Sequence, residues 1–187
     1  MIRSALRLRP EAGWARRRLL SDERRERRRK VVVTGLGLVS PLGCGVETAW
    51  PRLCEGFSSA VALEEERFSK VASRVACLVP RGEDRGQLDL EREFSRGDQQ
   101  RLSLAMMFGL LAAREAVQDS GWVPATRDQR LRAGVSVGMG MVDLEYIGES
   151  YLAVKQGGRK VSPYFVPRIL PNLAAGHISI GNLDISS

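Results

Sequence analysis

VVVTGLGLVSPLG, residues 31–43, sets the reading of this 187-residue chain. Three β-branched valines and Thr34 lead into glycines at 35, 37 and 43. A short apolar run closed by glycine and proline predicts a strand buried on both faces, then a tight turn. AGVSVGMGM, residues 133–141, repeats the plan and also ends in Gly-x-Gly. Two such strands separated by helical sequence predict neighbours in one mostly parallel α/β sheet. Glycines at their ends let backbone approach a partner or ligand closely.

Between these runs the expected elements are mostly helical. VETAWPRLCEG, residues 46–56, predicts a short helix capped by Thr48, with Pro51 in its first turn and Gly56 closing it. Trp50, Leu53 and Cys54 are expected to face inward, and Cys44, beside a turn glycine, to be the more exposed cysteine. Residues 61–70 are polar and carry no clear period. VASRVACLV, residues 71–79, predicts a strand that stops at Pro80, and 81–96 reads as a long surface loop. Residues 98–120 predict one helix, capped by Ser95 or Asp98 and ended by Gly121. Its face of Leu102, Ala105, Met106, Gly109, Leu110, Ala113, Ala116 and Val117 suits close packing. Residues 143–156 predict a further helix, and Asn172–Ile180 another.

Charge divides the chain. Residues 1–30 hold 12 of the 29 Lys+Arg and 4 of the 22 Asp+Glu, leaving 17 basic and 18 acidic residues in the body. The basicity of +7 therefore belongs to the leader, and the body gives no reason to expect a nucleic-acid partner. Arg3, Arg7, Arg9 and Arg16–Arg18 alternate with Leu6, Leu8, Trp14, Leu19 and Leu20 before an extended charge run. An arginine-rich, acid-poor, amphipathic start has the composition of a mitochondrial transit peptide. No run approaches the roughly 20 apolar residues of a membrane span.

Three cysteines, Cys44, Cys54 and Cys77, stand at no metal-ligand spacing, and His177 is the sole histidine. This argues against a disulfide framework, a multi-histidine metal site, or a Cys–His pair within the chain. Gly35-x-Gly37-x-x-Ser40 approximates a dinucleotide fingerprint, which keeps a Rossmann-like nucleotide binder as an alternative. Pro41 interrupts the helix that should start there, and no suitably placed acid follows.

VSPYFVPRILPNLAAGHISI, residues 161–180, combines three prolines, a Tyr–Phe pair and a small-residue helix. Pro163 and Pro167 are expected to stiffen an extended loop that fixes Tyr164 and Phe165. From about Arg29 to Ile180 the chain resembles the β-ketoacyl-acyl-carrier-protein synthases, the condensing enzymes of fatty acid synthesis. The resemblance rests on the order and spacing of VVVTGLGLVSPLG, SRGDQQRLSLA…AAREAVQDSG, VSVGMGM and VSPYFVPRILPNLAAGHISI. With the leader, it points to the mitochondrial branch and a matrix location. It implies an incomplete N-terminal half of a thiolase-like layered α/β/α fold. Residues 1–30 are then the leader, 31–180 the N-terminal part of the synthase domain, and 181–187 a divergent tail.

The family's reaction transfers an acyl chain from carrier protein to a cysteine at a helix N-terminus. Malonyl-carrier protein is then decarboxylated, and its carbanion attacks the thioester with help from two histidines. No metal or redox cofactor is implied. The implied partners are acyl carrier protein and, for the full-length form, a second copy as a homodimer. No cysteine here stands in the nucleophile's context, and His177 matches a helix residue, so no catalytic residue carries over. Met141 matches a position gating the acyl pocket, and Phe165 an aromatic position near its inner end. Arg101, Arg159 and Lys160 match basic positions that meet the carrier protein. Gly97 and Gln100 occupy two further such positions and dilute the patch. The expectation is an inactive short form, weakly folded alone. A non-enzymatic partner of the full synthase or of carrier protein is the alternative.

Overall fold

The computed structural model describes residues 30–157 and 161–183. Residues 1–29, Gly158, Arg159, Lys160 and the last four residues lie outside them, so the expected leader, apart from Lys30, falls outside the described residues. Two compact units divide at Val33 and Thr34. Of the first, only Lys30–Val33 are described. They form no strand, and Val31 is 92% exposed. The predicted buried strand is therefore corrected: an apolar run becomes a strand only when a neighbour supplies a ladder, and none does here.

The second unit is organised on one long helix. In chain order it holds β1 (Val39–Ser40), β2 (Gly43–Cys44), α1 (Val46–Cys54), β3 (Ala60–Ala62) and β4 (Val75–Cys77). Then come α2 (Leu90–Glu93), α3 (Arg96–Arg101), α4 (Leu104–Ser120), α5 (Arg127–Leu131), α6 (Leu144–Lys155), α7 (Phe165–Ile169) and α8 (Leu173–Leu183). A single 3-10 turn, Glu66–Phe68, falls in the stretch without a clear period. β1 pairs with β2 and β3 with β4, both antiparallel. The expected parallel pairing of the 31–43 run with the 133–141 run is absent among the described residues. The second run is extended without a ladder, and Gly138 and Gly140 face open space.

Residues 34–38 lie extended along α4 instead. A Cβ at Gly35 would strike the backbone of Ala116 and Ser120, and one at Gly37 the backbone of Ala112 and Ala116. Both glycines, two apart on one face of the segment, meet small residues four apart on the helix. The N–H of Leu36 donates to Asp119 Oδ2 at 2.8 Å and that of Leu38 to Glu115 Oε2 at 2.8 Å. Two carboxylates one helical turn apart thus accept the hydrogen bonds that a neighbouring strand would have taken.

α1 begins at Val46 with Gly45 as its N-cap, so Thr48 caps nothing and Pro51 falls inside the helix. Ala49 is the buried residue of this helix. Trp50 is 61% exposed, and Leu53 and Cys54 are exposed, against expectation. Its end is as predicted: Gly56 adopts φ +70, its N–H donates to the Leu53 carbonyl, and the Phe57 N–H reaches the Arg52 carbonyl. This is the double hydrogen bond of a glycine-terminated helix. The strand expected over 71–79 shortens to β4. The loop expected over 81–96 contains α2, capped by Asp89, and the start of α3.

The helix predicted over 98–120 is two helices. Ser95 caps α3 by accepting from the Asp98 N–H, and Ser103 caps α4 by accepting from the Met106 N–H at 3.3 Å. Leu102 between them is extended and buried. A serine whose hydroxyl takes a downstream amide starts a new helix rather than continuing the old one. Gly121 ends α4 in the left-handed conformation, as predicted. Phe94, Leu102, Met106, Met107 and Ala174 form the core, ringed by Leu110, Leu111, Met139 and Leu173, so α8 packs on α4 through small and flexible side chains.

Candidate functional site

α6 starts at Asp143, whose Oδ1 accepts from the Tyr146 N–H at 3.1 Å. Its other oxygen accepts from Arg168 Nε of α7 at 2.9 Å. The two side chains are 16% and 23% exposed. The Arg168 guanidinium lies over the Tyr146 ring, 4.2 Å from its centroid, and Tyr146 packs on Phe165 with centroids 5.9 Å apart. Each group restrains the next: cap, ion pair, cation–π contact and ring pair tie α7 to the first turn of α6. A charge pair this enclosed fixes geometry more than an exposed one.

This cluster positions Phe165. The residue opens α7, a short helix where an extended loop was expected. Pro167 sits at its third position, where an amide would have had no partner within the helix. The Phe165 N–H closes the turn on the Ser162 carbonyl at 2.9 Å. Met141 lies two residues before the Asp143 cap and is 67% exposed. The elements carrying the two residues are thus joined by Asp143 and Arg168, which sequence reasoning missed. Asp143 had a signal, a capping residue before a helical run. The pairing of Arg168 with a partner 25 residues away had none.

Arg101 ends α3 and is held by its own helix. Its Nη2 meets Asp98 Oδ1 at 2.6 Å and its Nε donates to the Gly97 carbonyl. The Ser95 hydroxyl first, then Arg101, hold the Asp98 carboxyl below the usual range. Arg101 and Asp98 line a cleft of about 480 Å³ with Arg114, Glu93 and His177. Arg114 pairs with Glu93 at 2.9 Å, so both arginines of the cleft are matched by acids. Arg159 and Lys160, the other expected docking residues, lie outside the described residues.

His177 stands on α8 with its Nε2 buried and unpartnered. Burial first, and Arg101 second, hold its pKa below the ordinary imidazole value. A neutral ring without an orienting acceptor has no general acid–base arrangement.

The structure does place a cysteine between a strand and a helix, which the sequence reading had not. Cys44 closes β2, directly before the N-cap of α1. Such a position usually favours thiolate. Here Glu115 Oε1 takes the Val46 N–H at 2.7 Å, occupying the helix start with a carboxylate. Burial first, and the Glu115 charge second, push the Cys44 thiol above its ordinary value. Cys44 is the half-buried cysteine, while Cys54 and Cys77 are exposed, the reverse of the expected order. Gly35 and Gly37 are filled by the α4 backbone, which leaves a nucleotide phosphate no approach at that motif.

The model of the β-ketoacyl synthase N-terminal domain matches residues 28–185. The chain belongs to the β-ketoacyl synthase family. It is 36% identical over 154 residues to the 3-oxoacyl-[acyl-carrier-protein] synthase 2 of Rhizobium meliloti, covering 81% of this chain and 37% of that protein. It is 35% identical to the mitochondrial 3-oxoacyl-[acyl-carrier-protein] synthase of Arabidopsis thaliana, covering 81% and 36%. A β-ketoacyl synthase from Burkholderia phymatum superposes with a TM-score of 0.64 at 20% identity, over 82% of this chain and 36% of that one. The trace therefore follows part of the thiolase-like ketosynthase fold, although the described residues hold only two short antiparallel pairs and no parallel sheet. The chain spans just over a third of the length of these relatives.

Proposed function

We propose that this chain is the N-terminal part of a mitochondrial 3-oxoacyl-acyl-carrier-protein synthase, and that as it stands it does not catalyse condensation. The parent reaction moves an acyl group from a carrier thioester to a cysteine thiolate. It then joins that group to the carbanion left when malonyl-carrier protein loses carbon dioxide. The observation carrying the reading is Cys44. It is the cysteine placed between a strand and a helix, yet burial and Glu115 hold it as the thiol, and a thiol is a poor nucleophile.

In this reading Met141 and Phe165 form part of an acyl-pocket wall, with Asp143, Tyr146 and Arg168 as its support. Arg101, Arg159 and Lys160 face the acidic carrier protein. The mitochondrial relative and the arginine-rich start of residues 1–30 support a matrix location. A second reading, a non-enzymatic partner of the full synthase or of carrier protein, is favoured by the exposed apolar side chains Met141, Leu144, Leu152 and Val154.

Incubation with malonyl- and acyl-carrier protein tests the proposal. We expect no condensation product above a no-protein control and no acyl adduct by intact mass. Turnover, or an adduct lost in Cys44→Ser, would refute it. Co-purification with carrier protein or with a full-length synthase in the absence of turnover would favour the second reading.

A further inference from the structure

We propose that the groove between the β3–β4 hairpin and the start of α4 binds a free aliphatic carboxylate of medium chain length. The groove encloses about 870 Å³, within the range of small-molecule sites. Phe57, Val61, Leu78, Leu104 and Phe108 supply apolar walls. Three arginines, Arg52, Arg67 and Arg81, also line it, and no acid does.

Two of the three cations are already engaged. Arg52 donates to the Leu42 carbonyl at 2.8 Å and lies over the Phe57 ring. Arg67 pairs with Glu65 at 2.7 Å and lies over Phe68. Arg81 has no acid partner among the described residues. Its neighbours Glu83 and Asp84 line a different cleft, with Arg85 and Arg92. The backbone bridge between Arg81 and Leu88 anchors the arginine at the groove rim.

An open apolar groove with one uncommitted guanidinium complements a chain bearing one planar anionic head. The guanidinium fork matches a carboxylate through two parallel hydrogen bonds, while the walls take the methylenes. A cation or a neutral alcohol would leave Arg81 unmatched. Neither Met141 nor Phe165 lines the groove, so the proposal does not depend on the proposed acyl pocket. Cys77 lines the groove, whereas Cys54, also exposed, does not.

The experiment uses the 187-residue chain and dodecanoate below its micelle concentration, followed by titration calorimetry. We expect saturable binding of one dodecanoate. Affinity should fall about tenfold for dodecanol and about tenfold in Arg81→Ala, the equivalent of about 1.4 kcal/mol. Arg81→Lys should recover part of the loss. Independently, dodecanoate should slow iodoacetamide alkylation of Cys77 severalfold and leave Cys54 unchanged, read by peptide mass mapping. Unsaturable uptake, equal binding of the alcohol, an unaffected Arg81→Ala variant or an unprotected Cys77 would each overturn the proposal.

Discussion

Replacing Gly37 by alanine tests whether residues 34–38 are held by α4. The new Cβ would lie 2.7 Å from Ala116 N and 2.9 Å from Ala112 C, and closer still to the Ala112 carbonyl oxygen. These are backbone atoms inside a helix and cannot turn aside, so the segment itself must lift. Carbon contacts settle near 3.5–4.0 Å, so the displacement is about 1 Å. A 1 Å shift takes the 2.8 Å bonds of Leu36 to Asp119 and of Leu38 to Glu115 out of hydrogen-bond range. Each bond, on the solvent side of the segment, contributes about 0.5–1.5 kcal/mol. The combined loss is about 2 kcal/mol, equivalent to about 30-fold faster opening. Amide hydrogen exchange at Leu36 and Leu38 reads this directly. The amides in the middle of α4 serve as an internal control. Exchange at both residues within twofold of the parent protein would refute the packing argument. Glu115→Gln, which keeps the acceptor oxygen but loses the charge, should accelerate Leu38 less than Gly37→Ala does.

Three further outcomes follow from named groups. Cys44 should react with iodoacetamide at least tenfold more slowly than Cys54 at pH 8, because burial and Glu115 disfavour its thiolate; equal rates in peptide mapping would count against it. His177 has a folded-state pKa below its ordinary 6.5, so the unfolded chain binds a proton first as pH falls. The stability of α8 packing should therefore be intact above about pH 6.5 and decline as pH drops through the lowered value; circular dichroism melts should show this slope flattened in His177→Gln. Residues 1–30 fused to a soluble reporter should carry it into mitochondria, and a reporter that stayed cytosolic would remove the support for a matrix location.

Some local chemistry was readable from the sequence, where a residue acts on its own neighbours. Gly56 and Gly121 end helices through backbone conformations that glycine adopts without penalty. Ser95 caps because its hydroxyl reaches an amide three residues on. The family, too, was legible, because four motifs in fixed order constrain it more than any single element. Where the sequence reading failed, a second, distant partner decided the outcome. VVVTG carries the composition of a buried strand, yet a strand exists only as a pair.

The helix expected over 98–120 breaks because Ser103 is buried and takes the Met106 amide, a choice set by the packing of Leu102 beneath Phe94 and Met106. Arg168 could have been surface charge until α7 was laid against α6 and Asp143 became its acceptor. Cys44 and Glu115, 71 positions apart in sequence, became neighbours only when α1 and α4 met, and that proximity decides the state of the thiol. Sequence determined the Ser95 cap, the glycine helix ends at Gly56 and Gly121, the charge division and the family, since these depend on residue type and spacing along the chain. Tertiary structure decided which carboxylate faces which amide, thiol or guanidinium, since electrostatic and hydrogen-bond energies depend on separation in space.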